Sequence, residues 1–171
     1  MGKNLVLLGM MGVGKTSLAK ALASKYKLQF VDTDALIEKK NSMTIEKIFK
    51  NMGENFFREE EEKIVINALD EKNSVIALGG GAFINEKIRK KVLASSVSFW
   101  LDIKIETLEK RLENSKKRPL LNKNEDIIKE KIEKIYKDRK SIYSLANYKI
   151  NCDKLSLEEI SKEVMNLYVN R

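Results

Sequence analysis

Histidine is absent from this chain, and cysteine, tryptophan and proline occur once each. Without histidine, acid–base chemistry falls to carboxylates, lysines, tyrosines or the single thiol, Cys152. One cysteine excludes an internal disulfide, which fits a reducing compartment. No apolar run is long enough to cross a bilayer, and the chain enters a strand-like run directly, without a secretory pattern. A cytoplasmic protein with no membrane partner is therefore expected. Internal repeats and low-complexity linkers are also missing. The lone proline, Pro119, sits in the polar stretch 114–125, which reads as a mobile surface loop.

Charge is abundant and unbalanced: 33 Lys+Arg against 25 Asp+Glu, a net +8 in 171 residues. That balance suits a polyanionic ligand, either nucleotide or nucleic acid. The basic clusters are short (Lys39-Lys40, Arg89-Lys90-Lys91, Lys116-Lys117-Arg118), and Glu59-Glu60-Glu61-Glu62 interrupts any continuous basic face. A nucleic-acid binder would want a long basic stripe with exposed aromatics, so no nucleic-acid partner is expected.

Residues 9–16 read Gly-Met-Met-Gly-Val-Gly-Lys-Thr, a complete G-x-x-x-x-G-K-[ST]. Before them runs Asn4-Leu5-Val6-Leu7-Leu8, suited to a buried parallel strand. After them come good helix formers, with Leu18 and Leu22 one turn apart. A strand-to-helix loop of this kind offers backbone N–H groups and a helix dipole to phosphate. Gly12, Val13, Gly14, Lys15, Thr16 and Ser17 are the expected nucleotide contacts. Lys15 supplies a cation for the outer phosphates, and the Thr16 hydroxyl a ligand for Mg²⁺.

Short β-like runs at 4–8, 29–32, 75–78, 97–101 and 148–151 alternate with helical stretches at 15–25, 34–40, 44–51, 54–71, 85–94, 104–114, 126–146 and 157–169. The pattern predicts an α/β three-layer fold, a five-stranded parallel sheet with helices on both faces, in one domain. Residues 34–62 are too long for one crossover helix. They are expected to cap the C-terminal edge of the sheet, where such folds bind ligands.

Three further constellations fall at that edge. Asp32 and Asp34 flank one residue at the end of the second strand. One suits Mg²⁺ through water and the other a proton from an attacking hydroxyl, although a helix cap with a solvated neighbour reads equally well. Gly79-Gly80-Gly81 after the third strand leaves room for a ligand against backbone N–H groups. Arg58 and Arg139 lie on otherwise apolar helical stripes, Arg58 with Val65 and Leu69, Arg139 between Ile135 and Ile142. Arginine there needs a counter-charge, either an acid within the protein or a bound carboxylate or phosphate. Arg118 in the mobile loop could swing over a transferring phosphoryl group, or could be a solvated charge. Asn122-Lys123-Asn124-Glu125 lacks the aspartate of a guanine-reading motif and follows no strand, which argues against a GTPase switch.

In order and spacing, the segments GMMGVGKTSLAKALA, FVDTDALIE, IFKNMGENFFREEEEKI, ALGGGAF, RPLL and YKDRKSIY resemble the shikimate kinase family. The resemblance implies transfer of the γ-phosphoryl group of Mg·ATP to the 3-hydroxyl of shikimate by a monomer. It also implies the site roles. Arg58 and Arg139 would clamp the substrate carboxylate, Asp34 would orient and deprotonate the hydroxyl, and Gly79, Gly80 and Gly81 would line the acceptor site. Asp32 and Thr16 would serve Mg²⁺, Lys15 and the lid arginine Arg118 the phosphates, and Arg111 the adenine. The chain departs from the family where Arg139-Lys-Ser-Ile-Tyr143 replaces Arg-x-Pro-Leu-Tyr, where Ser144 stands at an often acidic position, and in a lid without the usual glycines. A related small-molecule kinase, such as a gluconate kinase, is the alternative. A nucleoside monophosphate kinase would need more arginines for an acceptor phosphate.

Overall fold

A computed structural model describes residues 2–113 and 125–170. Five strands, β1 (Asn4–Leu8), β2 (Gln29–Asp32), β3 (Ser74–Ala77), β4 (Ser96–Asp102) and β5 (Tyr148–Asn151), form one parallel sheet in the order β2-β3-β1-β4-β5. β1 is buried along its whole length between β3 and β4, which its apolar run Leu5–Leu8 suits. Helices α1 (Lys15–Tyr26), α2 (Thr33–Asn41), α3 (Ile45–Asp70), α4 (Glu86–Ser95), α5 (Ile105–Glu113), α6 (Glu125–Tyr143) and α7 (Leu157–Val169) connect and cover the strands. The last begins with a full capping box, Ser156 with Glu159, as the Ser-Leu-Glu-Glu spacing predicts.

All five expected strands are present, within a residue or two. Three helical expectations change. The separate helices at 44–51 and 54–71 are two arms of one bent helix, α3, broken at Gly53, whose φ of 84° and ψ of 170° are not helical. A single 3₁₀ turn, Ala82–Ile84, follows the triple glycine. α6 ends at Tyr143 rather than 146, because the backbone turns there to feed β5.

The main core joins both faces of the sheet to α1, α4, α5, α6 and α7. A second, smaller cluster belongs to the segment between β2 and β3. Ile37 of α2 meets Ile48, Phe57 and Ile64 of α3, with Met43, Ile45 and Phe56 at its margin. This segment therefore carries its own apolar anchor beside the sheet's C-terminal edge. The expected lid, apart from Glu125 at the start of α6, and Arg118 lie outside the described residues.

Candidate active site

β1 delivers the phosphate-binding loop and α1 receives it. Gly14 is the N-cap of α1 in a left-handed conformation, and no side chain caps the helix. The first amides of α1 belong to Lys15, Thr16 and Ser17, and these residues line a cleft of about 220 Å³. An uncapped helix N-terminus opening into a cleft is the arrangement an anionic phosphate requires. The Lys15 ammonium is nearly buried and donates to the carbonyls of Gly9 and Met10, 2.9 Å each. Val13 is turned inward instead. It is buried, its N–H points to the Met10 carbonyl, and it does not line the cleft.

β2 ends at Asp32, and α2 begins one residue later. Asp32 satisfies both sequence readings at once. Its carboxylate accepts the Ala35 N–H as the N-cap of α2 and the Thr16 hydroxyl at 2.7 Å. The two residues expected at Mg²⁺ are thus in contact at the mouth of the loop. Among the described residues no group of three or more acidic, cysteine or histidine side chains could cage a metal. Mg²⁺ keeps several waters and is held by one or two oxygen ligands plus substrate phosphates, and the Asp32 carboxylate and Thr16 hydroxyl are two such oxygens. The donor set fits the ion.

Asp34, in the first turn of α2, lines the same cleft, as does Gly80. The structure gives the triple glycine local reasons within the protein. The Gly79 N–H is already taken by Thr33 Oγ1 at 2.9 Å, so it is not offered to a ligand. What these glycines provide is space. A Cβ on Gly79 would collide with the Asp34 carboxylate and lie 3.0 Å from Glu61 Oε1, and a Cβ on Gly81 would lie 2.6 Å from Arg58 Nη1. With no Cβ at these positions, the Asp34 and Arg58 side chains lie close against the backbone that follows β3.

The two stripe arginines prove unlike each other. Arg58 is paired within the protein: Nη1 donates to Glu61 Oε2 at 2.7 Å, and Nε and Nη2 to Glu54 Oε1 at 3.2 and 3.1 Å. Burial lowers its pKa, but Glu61 and Glu54 outweigh burial and hold it above the ordinary arginine value. Arg139 has no carboxylate within 4 Å among the described residues and donates to the Gly80 carbonyl at 3.0 Å. Tyr143, one turn further along α6 and fully buried, donates its hydroxyl to the same carbonyl. Burial raises the Tyr143 pKa, against the nearby Arg139, so the phenol stays a donor. Arg111 of α5 reaches the phosphate loop from the other side, donating to the Val13 carbonyl at 3.1 Å.

Glu61 is the buried acid the sequence hides. The run Glu59–Glu62 reads only as an interruption of any basic face, yet Glu61 is 1 % exposed and Glu60 7 %. Glu60 pairs with Lys40 and Lys63, and Glu62 with Asn85 and Lys87. Burial raises the Glu61 pKa. Arg58 opposes that rise, Asp34 adds to it, and Arg139 is close enough to lower it. One buried carboxyl therefore senses both arginines and the candidate base. Its i,i+3 spacing to Arg58 was the available signal. Cys152, by contrast, takes no part: it is buried, and burial pushes its thiol up to about 12.

A parallel sheet with a phosphate loop after its central strand, a hydrogen-bonded Asp32–Thr16 pair and a second carboxylate, Asp34, lining the same cleft define a P-loop phosphotransferase. Comparison with known proteins narrows that class. The family model for shikimate kinase matches residues 11–168. A shikimate kinase from Bartonella henselae is 40 % identical over 161 residues, covering 94 % of this chain and 76 % of that protein. The solved structure of the Acinetobacter baumannii shikimate kinase in complex with shikimate superposes with a TM-score of 0.90 at 29 % identity, covering 99 % of this chain and 94 % of that one. The chain belongs to the shikimate kinase family. A gluconokinase from Sinorhizobium meliloti reaches a TM-score of 0.60 at 15 % identity, a likeness of fold alone.

Proposed function

We propose that this chain transfers the γ-phosphoryl group of Mg·ATP to the 3-hydroxyl of shikimate, as a cytoplasmic monomer. One observation carries the reading. The residues around a single cleft divide into a phosphate side (Lys15, Thr16, Asp32) and an acceptor side (Asp34, Gly80), with Arg58 and Arg139 converging on Gly80–Gly81.

Family membership supplies ATP as the donor. Amides from Gly12 to Ser17 would receive its phosphates, with Lys15 neutralising charge on the transferring group. Mg²⁺, held by Thr16 and through water by Asp32, would share that neutralisation. Asp34 orients the acceptor hydroxyl and takes its proton. Arg139 and Arg58 hold the acceptor carboxylate, so positioning provides much of the rate. Residues 34–62 act as the acceptor cap. Residues 114–125, with Arg118, act as the nucleotide lid, and Arg111 lies toward the adenine.

The test is a coupled ADP-release assay offering shikimate, gluconate and nucleoside monophosphates in turn. Turnover on shikimate alone is expected. Faster turnover on gluconate or on a monophosphate would overturn the acceptor assignment.

A further inference from the structure

Arg58 is gripped by two carboxylates of very different character. Glu61 holds Nη1 from inside with a side chain 2 % exposed, whereas Glu54 holds the outer Nε–Nη2 edge with a side chain 62 % exposed. The outer contact is also the poorer one. Both N–H groups converge on a single oxygen, Glu54 Oε1, at 3.2 and 3.1 Å. A carboxylate that met the same edge with two oxygens, in parallel, would pair better. Nη1 is already committed to the buried glutamate, so the Nε–Nη2 edge is the one an incoming anion can win.

We propose that Glu54 is a built-in competitor for the acceptor's carboxylate: it occupies the outer fork of Arg58 and must let go before the acceptor is held. The proposal rests on the reading that the acceptor carries a carboxylate clamped by Arg58. The tether explains why Glu54 stays close yet yields. It follows the Gly53 break directly and stands one turn before Arg58 on the second arm of α3, so it reaches the guanidinium without leaving its helix. An exposed i,i+4 pair of this kind is weak, amounting to about a two- to fivefold factor in an equilibrium constant. Glu61, buried and within electrostatic reach of Arg139 and Asp34, is not displaced. Glu54 is thus a specificity-determining residue acting through Arg58. It keeps the fork closed to weakly held anions and opens it to a bidentate one.

Calorimetric titration of the full chain with shikimate, and separately with ATP, tests this on wild type, Glu54→Gln and Glu54→Asp. Glu54→Gln is expected to bind shikimate about two- to fivefold more tightly, with ATP affinity unchanged. Glu54→Asp keeps the charge but is one methylene too short for the fork, and should show most of the same gain. Unchanged or weaker shikimate binding in Glu54→Gln makes Glu54 inert or an orienter of Arg58, and the proposal fails. A gain in Gln without a gain in Asp reduces the effect to charge repulsion, and it fails again. A wild-type chain that ignores shikimate overturns the acceptor assignment itself and this proposal with it.

Discussion

Glu60 and Glu61 are sequence neighbours with opposite electrostatics, because a helix turns about 100° per residue. Glu60 meets the Lys40 ammonium at 2.6 Å, and that hydrogen bond, with help from Lys63, holds its pKa below the ordinary 4.5. Glu61 points inward, and burial raises its pKa above the same value. The consequences for stability have opposite signs. Glu60 contributes stability that is present above the ordinary glutamate value and lost as pH falls through its lowered pKa. Folded Glu61 holds its proton where the unfolded residue has lost it, so its contribution is full below 4.5 and declines as pH rises to its raised value. Carbon-13 titration of the glutamate carboxyls is expected to show Glu61 titrating above Glu60. Glu61→Gln should remove the declining stretch from a profile of melting temperature taken from about pH 4 to pH 8. Glu61 titrating below Glu60 would contradict the buried geometry. A second prediction separates the arginines. Hydrogen bonds to a charged group contribute about 1.5–3 kcal/mol, so Arg139→Lys, which loses the planar fork, should weaken shikimate binding about ten- to a hundredfold. Because Arg139 forms no ion pair among the described residues and donates to the Gly80 carbonyl, the same change should move the melting temperature less than Arg58→Lys does. Arg58→Lys should cost both, since Glu61 then loses its partner. Paired shikimate titrations and thermal melts on both variants check this. Equal behaviour of the two would argue against the asymmetry.

At the scale of elements, the bend in α3 aims Arg58. Its first arm anchors the small cluster through Ile48, its second carries Phe57, Arg58 and Glu61, and Gly53 sets the angle between them. The Gly53 conformation, φ 84° and ψ 170°, belongs to a region essentially restricted to glycine, although nothing stands within 4 Å of where a Cβ would be. Gly53→Ala should therefore act through backbone strain alone, destabilising the fold by about 1–3 kcal/mol. Denaturant unfolding measures that loss. ATP affinity should stay as it was, because the phosphate loop belongs to β1 and α1. α6 works differently. It brings Arg139 and Tyr143 onto one carbonyl, that of Gly80, and so ties this part of the cleft to a helix that packs Ile132, Ile135 and Ile142 into the main core. The tyrosine survives where the family's proline and leucine do not, which fits its place at this junction.

For the whole molecule, substrates should act as stabilisers. A ligand at about 100 times its dissociation constant adds about 2.7 kcal/mol, and each kcal/mol moves the midpoint of a domain this size by about 2–4 °C. Shikimate and ATP should each raise the melting temperature by about 5–11 °C at that concentration, while gluconate leaves it in place. Scanning fluorimetry with the three ligands reads this directly, and a gluconate shift as large as the shikimate shift would return the alternative acceptor to consideration.

The parts of the protein that were legible from sequence are the local ones. Gly9 to Ser17 form the strand-to-helix loop because strand, loop and helix are contiguous, so nine residues contain the whole arrangement, and the strands and most helices follow from apolar periodicity in the same way. Only the tertiary structure decided the rest. The order β2-β3-β1-β4-β5 arises from pairing between distant segments, which periodicity does not encode. Nor does spacing tell which of four consecutive glutamates faces inward, or that Asp34 and Arg58 stand where a Cβ on Gly79 or Gly81 would be. The partners of an arginine on an apolar stripe are likewise undetermined by the stripe. Arg58 finds carboxylates on its own helix, while Arg139 finds a carbonyl 59 residues away, and the difference lies in which surfaces the fold presses together.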